Sequence, residues 1–332
     1  LDVQTAFLNG KLQETVFCRQ PPGFETLDPT TGEPQVMRLK RALYGLRQSP
    51  NVWNGYVMLT LYVNDVLMTG PSISILQQVQ DALKSRLSIS ELGPVYLILD
   101  IEVIRDEARG ILKLSQHRYV ESMLKKSGIE SSNPVHTPGT PTQLVDDAPE
   151  DTFLEPSEKT KYQAMVGSLI FLAQSTRFDI AFSVSEVARH ISSPSRQNFV
   201  AVKWIFRYLK GKSDLPLTYS TSNKNLVPKG FCDASYGNAG LKEKMKSTTE
   251  TLFFLSNGLV HLTPRLQRIT ATSTTEAELT ALSTCGKFGT YLFNLIRELG
   301  CFITPATIYS DSQGALHLSS NANLSTSSKH VA

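Results

Sequence analysis

LYVNDVL at residues 61–67 and LDVQTAFLNG at residues 1–10 each place an acidic residue inside a run of apolar and β-branched residues. Such runs predict buried strands, with the carboxylates of Asp2 and Asp65 at strand ends. A buried carboxylate is costly without a cationic partner, so two such strands side by side predict a site for a divalent metal ion. Residues 57–69 are expected to form the hairpin of this site, with Asn64 immediately before Asp65.

Longer strings extend the pattern along the chain: QPPGFE at residues 20–25, RLKRALYGLRQSP at 38–50, YQAMVGSL at 162–169 and YLKG at 208–211. Together they resemble the Pol polyprotein of copia-type LTR retrotransposons, in which a reverse transcriptase is followed by an RNase H. Their combined length makes them far more specific than one short motif. The resemblance implies an α+β or α/β fold, namely a truncated reverse transcriptase palm with thumb and connection helices, then an RNase H-like α/β domain.

Length and composition fit this class. With 332 residues, 41% of them hydrophobic and 19% charged, the chain has room for two domains or more of a folded soluble protein. No apolar run is long enough to cross a membrane, so no membrane partner is expected. The four cysteines have no metal-type spacing and are expected to be reduced thiols: Cys18, Cys232, Cys285 and Cys301.

The domain organisation follows from composition and resemblance. Residues 1–70 are expected to form part of the palm, and residues 71–225 the thumb and connection region. Residues 131–160 are polar and rich in Pro, Thr and Asp, which is typical of a linker. Residues 226–332 are expected to form the RNase H-like domain, truncated at its C-terminus.

The resemblance implies a polymerase site with three metal ligands, at Asp2, Asn64 and Asp65. It also implies that Gln48, Ser49 and Pro50 face the incoming nucleotide and the template. Two Mg²⁺ or Mn²⁺ ions would serve phosphoryl transfer, and they need converging oxygen ligands. Asn64 stands where the family has an acid. Because it lacks one negative charge, we expect weak polymerase activity.

Other features favour a degraded enzyme. The family usually has a longer segment between the helix containing Trp53 and the hairpin, so the junction at residues 56–57 is expected to be a deletion or an artefact of the gene sequence. The chain opens without Met, inside a motif, and is interpreted as a fragment without the fingers of the polymerase. The last RNase H acid of the family is expected beyond Ala332.

Three strings predict a second metal site: FCDAS at residues 231–235, TSTTEAEL at 272–279 and IYSDSQGA at 308–315. They read as a strand with Asp233, a helix with Glu278 and a strand ending at Asp311. This is the order of RNase H, and by resemblance these three residues are its catalytic metal ligands. Each acid alone would as readily be a helix cap or a solvated charge. Glu278 is preferred to Glu276 because it directly precedes the apolar residues 279–281 of the helix, and because residues two apart do not share a helix face.

Two functional interpretations stay open. The first is an RNA-directed DNA polymerase with RNase H, impaired or inactive. The second is a non-catalytic remnant that binds nucleic acid through basic clusters, among them Lys203, Arg207, Lys210 and Lys212. The partners implied are an RNA template, a DNA primer, dNTPs and an RNA–DNA heteroduplex, with a dimer with full-length Pol as a further option. The resemblance implies a cytoplasmic virus-like particle with access to the nucleus.

Overall fold

The computed structural model describes residues 57–70, 72–140, 153–220, 227–238, 245–299 and 303–320, and the backbone of three short strands before them. The chain divides into two compact units, Leu1–Val95 and Tyr96–Ala332. Each unit combines helices with antiparallel sheet, so the expected α+β class is confirmed. The domain boundaries expected at residues 70 and 225 stay predictions.

The first unit has a four-stranded antiparallel sheet. Its strands are β1 (Asp2–Val3), β4 (Met58–Tyr62), β5 (Asp65–Thr69) and β6 (Ile89–Ser90), in the order β4-β5-β1-β6. Strands β2 (Phe17–Arg19) and β3 (Val36–Arg38) form a separate antiparallel pair. Helix α1 (Ile73–Lys84) begins after Ser72, whose hydroxyl accepts a hydrogen bond from the Ile75 amide at 3.3 Å.

The hairpin predicted at residues 57–69 is confirmed. Strands β4 and β5 pair from Met58 opposite Thr69 to Tyr62 opposite Asp65, which leaves Val63 and Asn64 as a two-residue turn. Val63 has φ 52°, in the left-handed region where a β-branched side chain is strained. The turn therefore holds an unfavourable backbone conformation next to Asp65.

The second unit opens with an antiparallel sheet in the order β10-β9-β8-β7. Its strands are β7 (Leu97–Ile98), β8 (Ile101–Asp106), β9 (Ile111–Ser115) and β10 (Leu217–Ser220). The apolar run of residues 97–104 predicts a single strand, and this prediction is wrong. Leu99 and Asp100 have φ 50° and 59°, so the chain turns there and β7 pairs back onto β8.

Four helices form the larger apolar core of this unit: α2 (His117–Ser127), α3 (Pro156–Ser175), α4 (Ala181–Arg189) and α5 (Arg196–Gly211). The sequence predicts helices at roughly 160–174, 178–191 and 197–210, and the last three helices match them, except that Phe178–Ile180 forms a separate 3₁₀ turn. Buried side chains recur along each helix face, as the apolar periodicity predicts. Because α3 begins at Pro156, the end of the predicted linker is helical.

The last part of the second unit is a sheet against a long helix. Strands β11 (Lys229–Ser235), β12 (Thr248–Leu255) and β13 (Gly258–Leu266) are antiparallel, and helix α6 (Thr274–Glu298) leads to β14 (Thr307–Tyr309), which pairs parallel with β11. Helix α7 (Gln313–Ser320) follows. The strand order is β13-β12-β11-β14. The sequence predicts that a strand-rich region opens near Lys229, and the three strands from Lys229 to Leu266 confirm it.

A second apolar core joins this sheet to α6. Phe253 of β12 and Cys285 of α6 are fully buried, and Cys232 of β11 is nearly so. Cys232 and Cys285 are free thiols, as expected. Within the described residues, no helix has both the length and the apolar character that crossing a membrane requires.

Candidate metal centre

Strand β11 presents Asp233 on the open face of its sheet. Along the strand, Gly230 and Cys232 are buried against α6, whereas Phe231 and Asp233 are exposed. This alternation follows from the two-residue period of a strand. The apolar residues of the strand thus anchor the backbone while the carboxylate of Asp233 reaches solvent.

Helix α6 places its two N-terminal glutamates in different roles. Ser273 caps the helix, and its hydroxyl accepts a hydrogen bond from the Glu276 amide at 3.2 Å. The carboxylate of Glu276 accepts bonds from the amide and hydroxyl of Thr272, at 2.6 and 2.7 Å. Glu278 instead reaches the sheet, where its Oε1 accepts a bond from the Ala234 amide at 3.3 Å. The sequence-based choice of Glu278 over Glu276 therefore matches the geometry.

Asp311 completes the group. It lies just past β14, beside the end of β11 that carries Asp233. One carboxylate oxygen from each of Asp233, Glu278 and Asp311 lies within 4.8 Å of the others. The structure brings these three acids together, and their roles as metal ligands and in catalysis stay predictions.

The three carboxylates fit a divalent cation. Glu278 Oε2 is buried and has no hydrogen-bond partner among the described residues. A buried carboxylate oxygen without a partner is costly, and a cation would remove that cost. The ligands are all hard oxygens, which suit Mg²⁺ or Mn²⁺ better than softer metals.

The raised pKa of Glu278 also favours a cation at this group. Burial raises the pKa of Glu278, and the nearby charges of Asp233 and Asp311 raise it further, while the Ala234 amide opposes them. Carboxylates that repel each other in this way gain most from a bound cation. The apo protein therefore carries an electrostatic penalty at this point of the fold.

Sequence analysis missed one acid beside this group. Glu250 of β12 lies directly opposite Asp233 in the antiparallel register of β11 and β12. Burial raises the pKa of Glu250, and the charge of Asp233 adds to the shift. The signal available in sequence was a single acid within the β-branched run of residues 248–251, and only the register relates it to Asp233.

The predicted polymerase residues are described in part. Strand β1 pairs with β5 so that Asp2 is opposite Asp65, which is the arrangement expected of the two acid-bearing strands. Asn64 is exposed in the hairpin turn and Asp65 is partly buried. Gln48, Ser49 and Pro50 lie outside the described residues.

Part of the predicted basic cluster on α5 has a structural use. Arg207 Nε donates to the Asn133 carbonyl at 2.6 Å, and Lys210 Nζ donates to the Ser132 carbonyl at 2.7 Å. The Trp204 indole donates to the Thr137 carbonyl at 2.9 Å. These bonds hold the start of the predicted linker against α5. They weaken the interpretation of this cluster as a nucleic-acid surface.

Three converging carboxylates in an α+β fold are typical of enzymes that use divalent metals for phosphoryl transfer. A family model described as reverse transcriptase (RNA-dependent DNA polymerase) matches residues 1–59 and 54–141. The chain belongs to this family, in the branch of the Pol polyproteins of copia-type retrotransposons.

Two relatives and one solved structure illustrate the similarity. The retrovirus-related Pol polyprotein from transposon TNT 1-94 of Nicotiana tabacum is 32% identical over 100% of this chain and 27% of its own length. A mitochondrial protein of Arabidopsis thaliana, described as uncharacterized, is 32% identical over 68% of this chain and 90% of its own. The solved structure of the foamy viral protease-reverse transcriptase in complex with dsDNA is 11% identical in sequence. The match covers 98% of this chain and 66% of that chain, with a TM-score of 0.42.

These comparisons also bear on extent and continuity. The chain spans about a quarter of the length of the Pol polyproteins that it matches. The tobacco alignment runs over 363 positions and includes all of this chain, so the relative has residues that these 332 lack. The family match is itself divided into two stretches that meet at residues 54–59. The expected gap at residues 56–57 lies within this division.

Proposed function

We propose that this chain is the reverse transcriptase and RNase H part of a copia-type Pol polyprotein, and that its second unit hydrolyses the RNA strand of an RNA–DNA heteroduplex. The observation that carries the proposal is the convergence of Asp233, Glu278 and Asp311 within 4.8 Å, with a buried, unpartnered oxygen on Glu278. The order of strand, helix and parallel strand that brings these acids together supports it.

Each acid has a definable part in this proposal. Asp233, Glu278 and Asp311 would hold Mg²⁺ or Mn²⁺, and a bound cation would supply a water nucleophile of lowered pKa and offset the charge of the phosphate. The Ala234 amide orients Glu278 by its bond to Oε1 and leaves Oε2 free for a ligand. The apolar anchoring of β11 and α6 by Cys232 and Cys285 keeps the strand and the helix in register.

The polymerase activity proposed for the first unit is impaired. Asp2 and Asp65 are opposed as two metal ligands would be, but Asn64 provides an amide where a third carboxylate is expected. Losing one ligand charge removes transition-state stabilisation, so on the order of a hundredfold or more in rate would be lost. The discontinuity at residues 54–59 supports a further loss. An RNA template, a DNA primer and dNTPs are the substrates proposed for this unit, in a cytoplasmic particle.

Substrate selectivity tests the hydrolytic proposal. Purified protein would be incubated with end-labelled RNA–DNA heteroduplex, double-stranded DNA and single-stranded RNA, in Mg²⁺ and then Mn²⁺. We expect cleavage of the RNA strand of the heteroduplex alone, and only with a divalent cation. Equal cleavage of single-stranded RNA would point to a contaminating ribonuclease, and no cleavage by folded protein would contradict the proposal.

A further inference from the structure

Asp233 lies between two other acids in the sheet. The strand order β13-β12-β11-β14 puts β12 on one side of Asp233 and β14 on the other. Glu250 of β12 is opposite Asp233 in register, and Asp311 follows β14. Directly opposed residues of an antiparallel pair project from the same face of the sheet. Glu250 and Asp311 therefore flank Asp233 from opposite sides.

The surroundings of Glu250 give it no evident structural role. Its neighbours along β12, Thr249 and Thr251, are buried, while Glu250 itself is partly buried on the other face. Among the described residues it makes no ion pair and no hydrogen bond through its side chain that would offset the cost of burial. Glu250 also lies outside the set of three carboxylates that share the 4.8 Å spacing. It is thus an acid opposite Asp233 in register that does not join the other carboxylates at that spacing.

The charges of the acids at this site can be compared with those of two divalent cations. Two-metal phosphoryl transfer uses cations about 4 Å apart, held by a carboxylate that both share. Two divalent cations bring four positive charges, whereas Asp233, Glu278 and Asp311 bring three negative charges. Among the described residues, Glu250 would supply the fourth. Glu250 lies on the β12 side of Asp233, whereas Asp311 follows β14 on the other side.

We propose that Glu250 is a further metal-binding residue, which with Asp233 holds a second Mg²⁺ or Mn²⁺ ion while Glu278 and Asp311 hold the first. Asp233 is then the shared carboxylate. This inference rests on the proposed function, because it assumes that the three converging acids bind a cation. It assigns Glu250 a role that follows from the cross-strand register of this chain.

Counting bound Mn²⁺ tests the proposal without any need for activity. Bound Mn²⁺ would be measured by electron paramagnetic resonance during titration of the full chain, and each variant would be compared with the wild type. We expect Glu250→Gln to bind one ion fewer and Asp233→Asn two ions fewer. Glu298→Gln, at the exposed end of α6, is the matched control and should bind the wild-type number.

The outcomes separate the two claims. If Glu250→Gln binds the wild-type number of ions while Asp233→Asn loses binding, the role of Glu250 is overturned and the proposed function stands. If Asp233→Asn also keeps every ion, the proposed function itself fails. Should Glu250→Gln not fold, Glu250→Ala is measured in its place, and the wild-type number of ions in that folded variant would overturn the role of Glu250.

Unfolding in the absence of metal gives a second readout. Removing the charge of Glu250 relieves its repulsion with Asp233, so Glu250→Gln should be at least as stable as the wild type without metal. With Mn²⁺ the same variant should gain less stability than the wild type, because it binds one ion fewer. Lower stability in both conditions would indicate that the carboxylate of Glu250 has a structural role and would contradict the proposal.

Discussion

Asp2 of β1 and Asp65 of β5 lie opposite each other in adjacent antiparallel strands. The two acids are far apart in sequence, and the pairing of a central strand with the hairpin brings their backbones together. The register therefore places these two acids at directly opposed backbone positions. The proposed polymerase site of the first unit rests on this register.

The first prediction concerns this pair and Asn64. Primer extension on an RNA template should be weak in the wild type and absent in Asp2→Ala, because only two acids remain to bind the metal ions. Asn64→Asp alone should not restore extended products, since a palm segment is expected to be deleted at residues 56–57. Full recovery in Asn64→Asp would show that this expected deletion is harmless.

The second prediction concerns the buried arginine between α3 and α4. Arg177 is 2% exposed and donates two bonds to Asp179, at 2.9 and 2.8 Å, and one to the Lys212 carbonyl at 2.8 Å. Arg177→Ala would leave the partly buried Asp179 without its cation, which costs about 3–5 kcal/mol of unfolding free energy. Chemical denaturation of the full chain measures it.

The matched control for this prediction is Arg189→Ala. Arg189 is 25% exposed and reaches Glu186 at 3.9 Å, which is a weak ion pair. Its loss should cost no more than about 1 kcal/mol. Equal losses of unfolding free energy in the two variants would show that the bidentate bonds of Arg177 to Asp179 do not stabilise the helical core.

The third prediction uses two glycines beside the metal centre. A Cβ at Gly230 would lie 2.7 Å from the Phe253 ring and 3.2 Å from Cys285 Sγ, whereas one at Gly286 would meet nothing within 4 Å. Gly230→Ala should therefore destabilise the protein by about 1–3 kcal/mol through overpacking. Gly286→Ala should stabilise it by up to about 1 kcal/mol through helix propensity. Thermal unfolding compares them, and equal shifts would refute the packing of β11 on α6.

The fourth prediction is a pH dependence of stability without metal. The pKa of Glu278 is raised above its ordinary value of 4.5, so the folded protein holds this proton more tightly than the unfolded chain does. The stabilisation is fully present below pH 4.5 and is lost as the pH rises through the raised value. The free energy of unfolding should therefore fall with rising pH in this window.

Urea denaturation at a series of pH values, in the presence of a chelator, measures this slope. Glu278→Gln should reduce it, because the amide does not titrate. Glu298→Gln is exposed and should leave the slope unchanged. An unchanged slope in Glu278→Gln would mean that the pKa of Glu278 is not raised in the folded protein.

Much of this structure follows from local sequence. The hairpin at residues 57–69 was predictable because apolar and β-branched residues flank a two-residue turn, and Glu278 because helix geometry separates it from Glu276. The turn at Leu99 and Asp100 was not, since neither residue type favours positive φ strongly enough to mark it. Glu250 was missed because its relation to Asp233 depends on strand register, which a local pattern does not contain.

We propose that Asp233, Glu278 and Asp311 form a metal-dependent hydrolytic site. The most direct measurement is Mn²⁺-dependent cleavage of a labelled RNA–DNA heteroduplex by the wild type and by Asp233→Asn, with the exposed Asp214→Asn as the matched control. We expect cleavage by the wild type and by Asp214→Asn, and no cleavage by folded Asp233→Asn. Persistent cleavage by Asp233→Asn would contradict the assignment of this site.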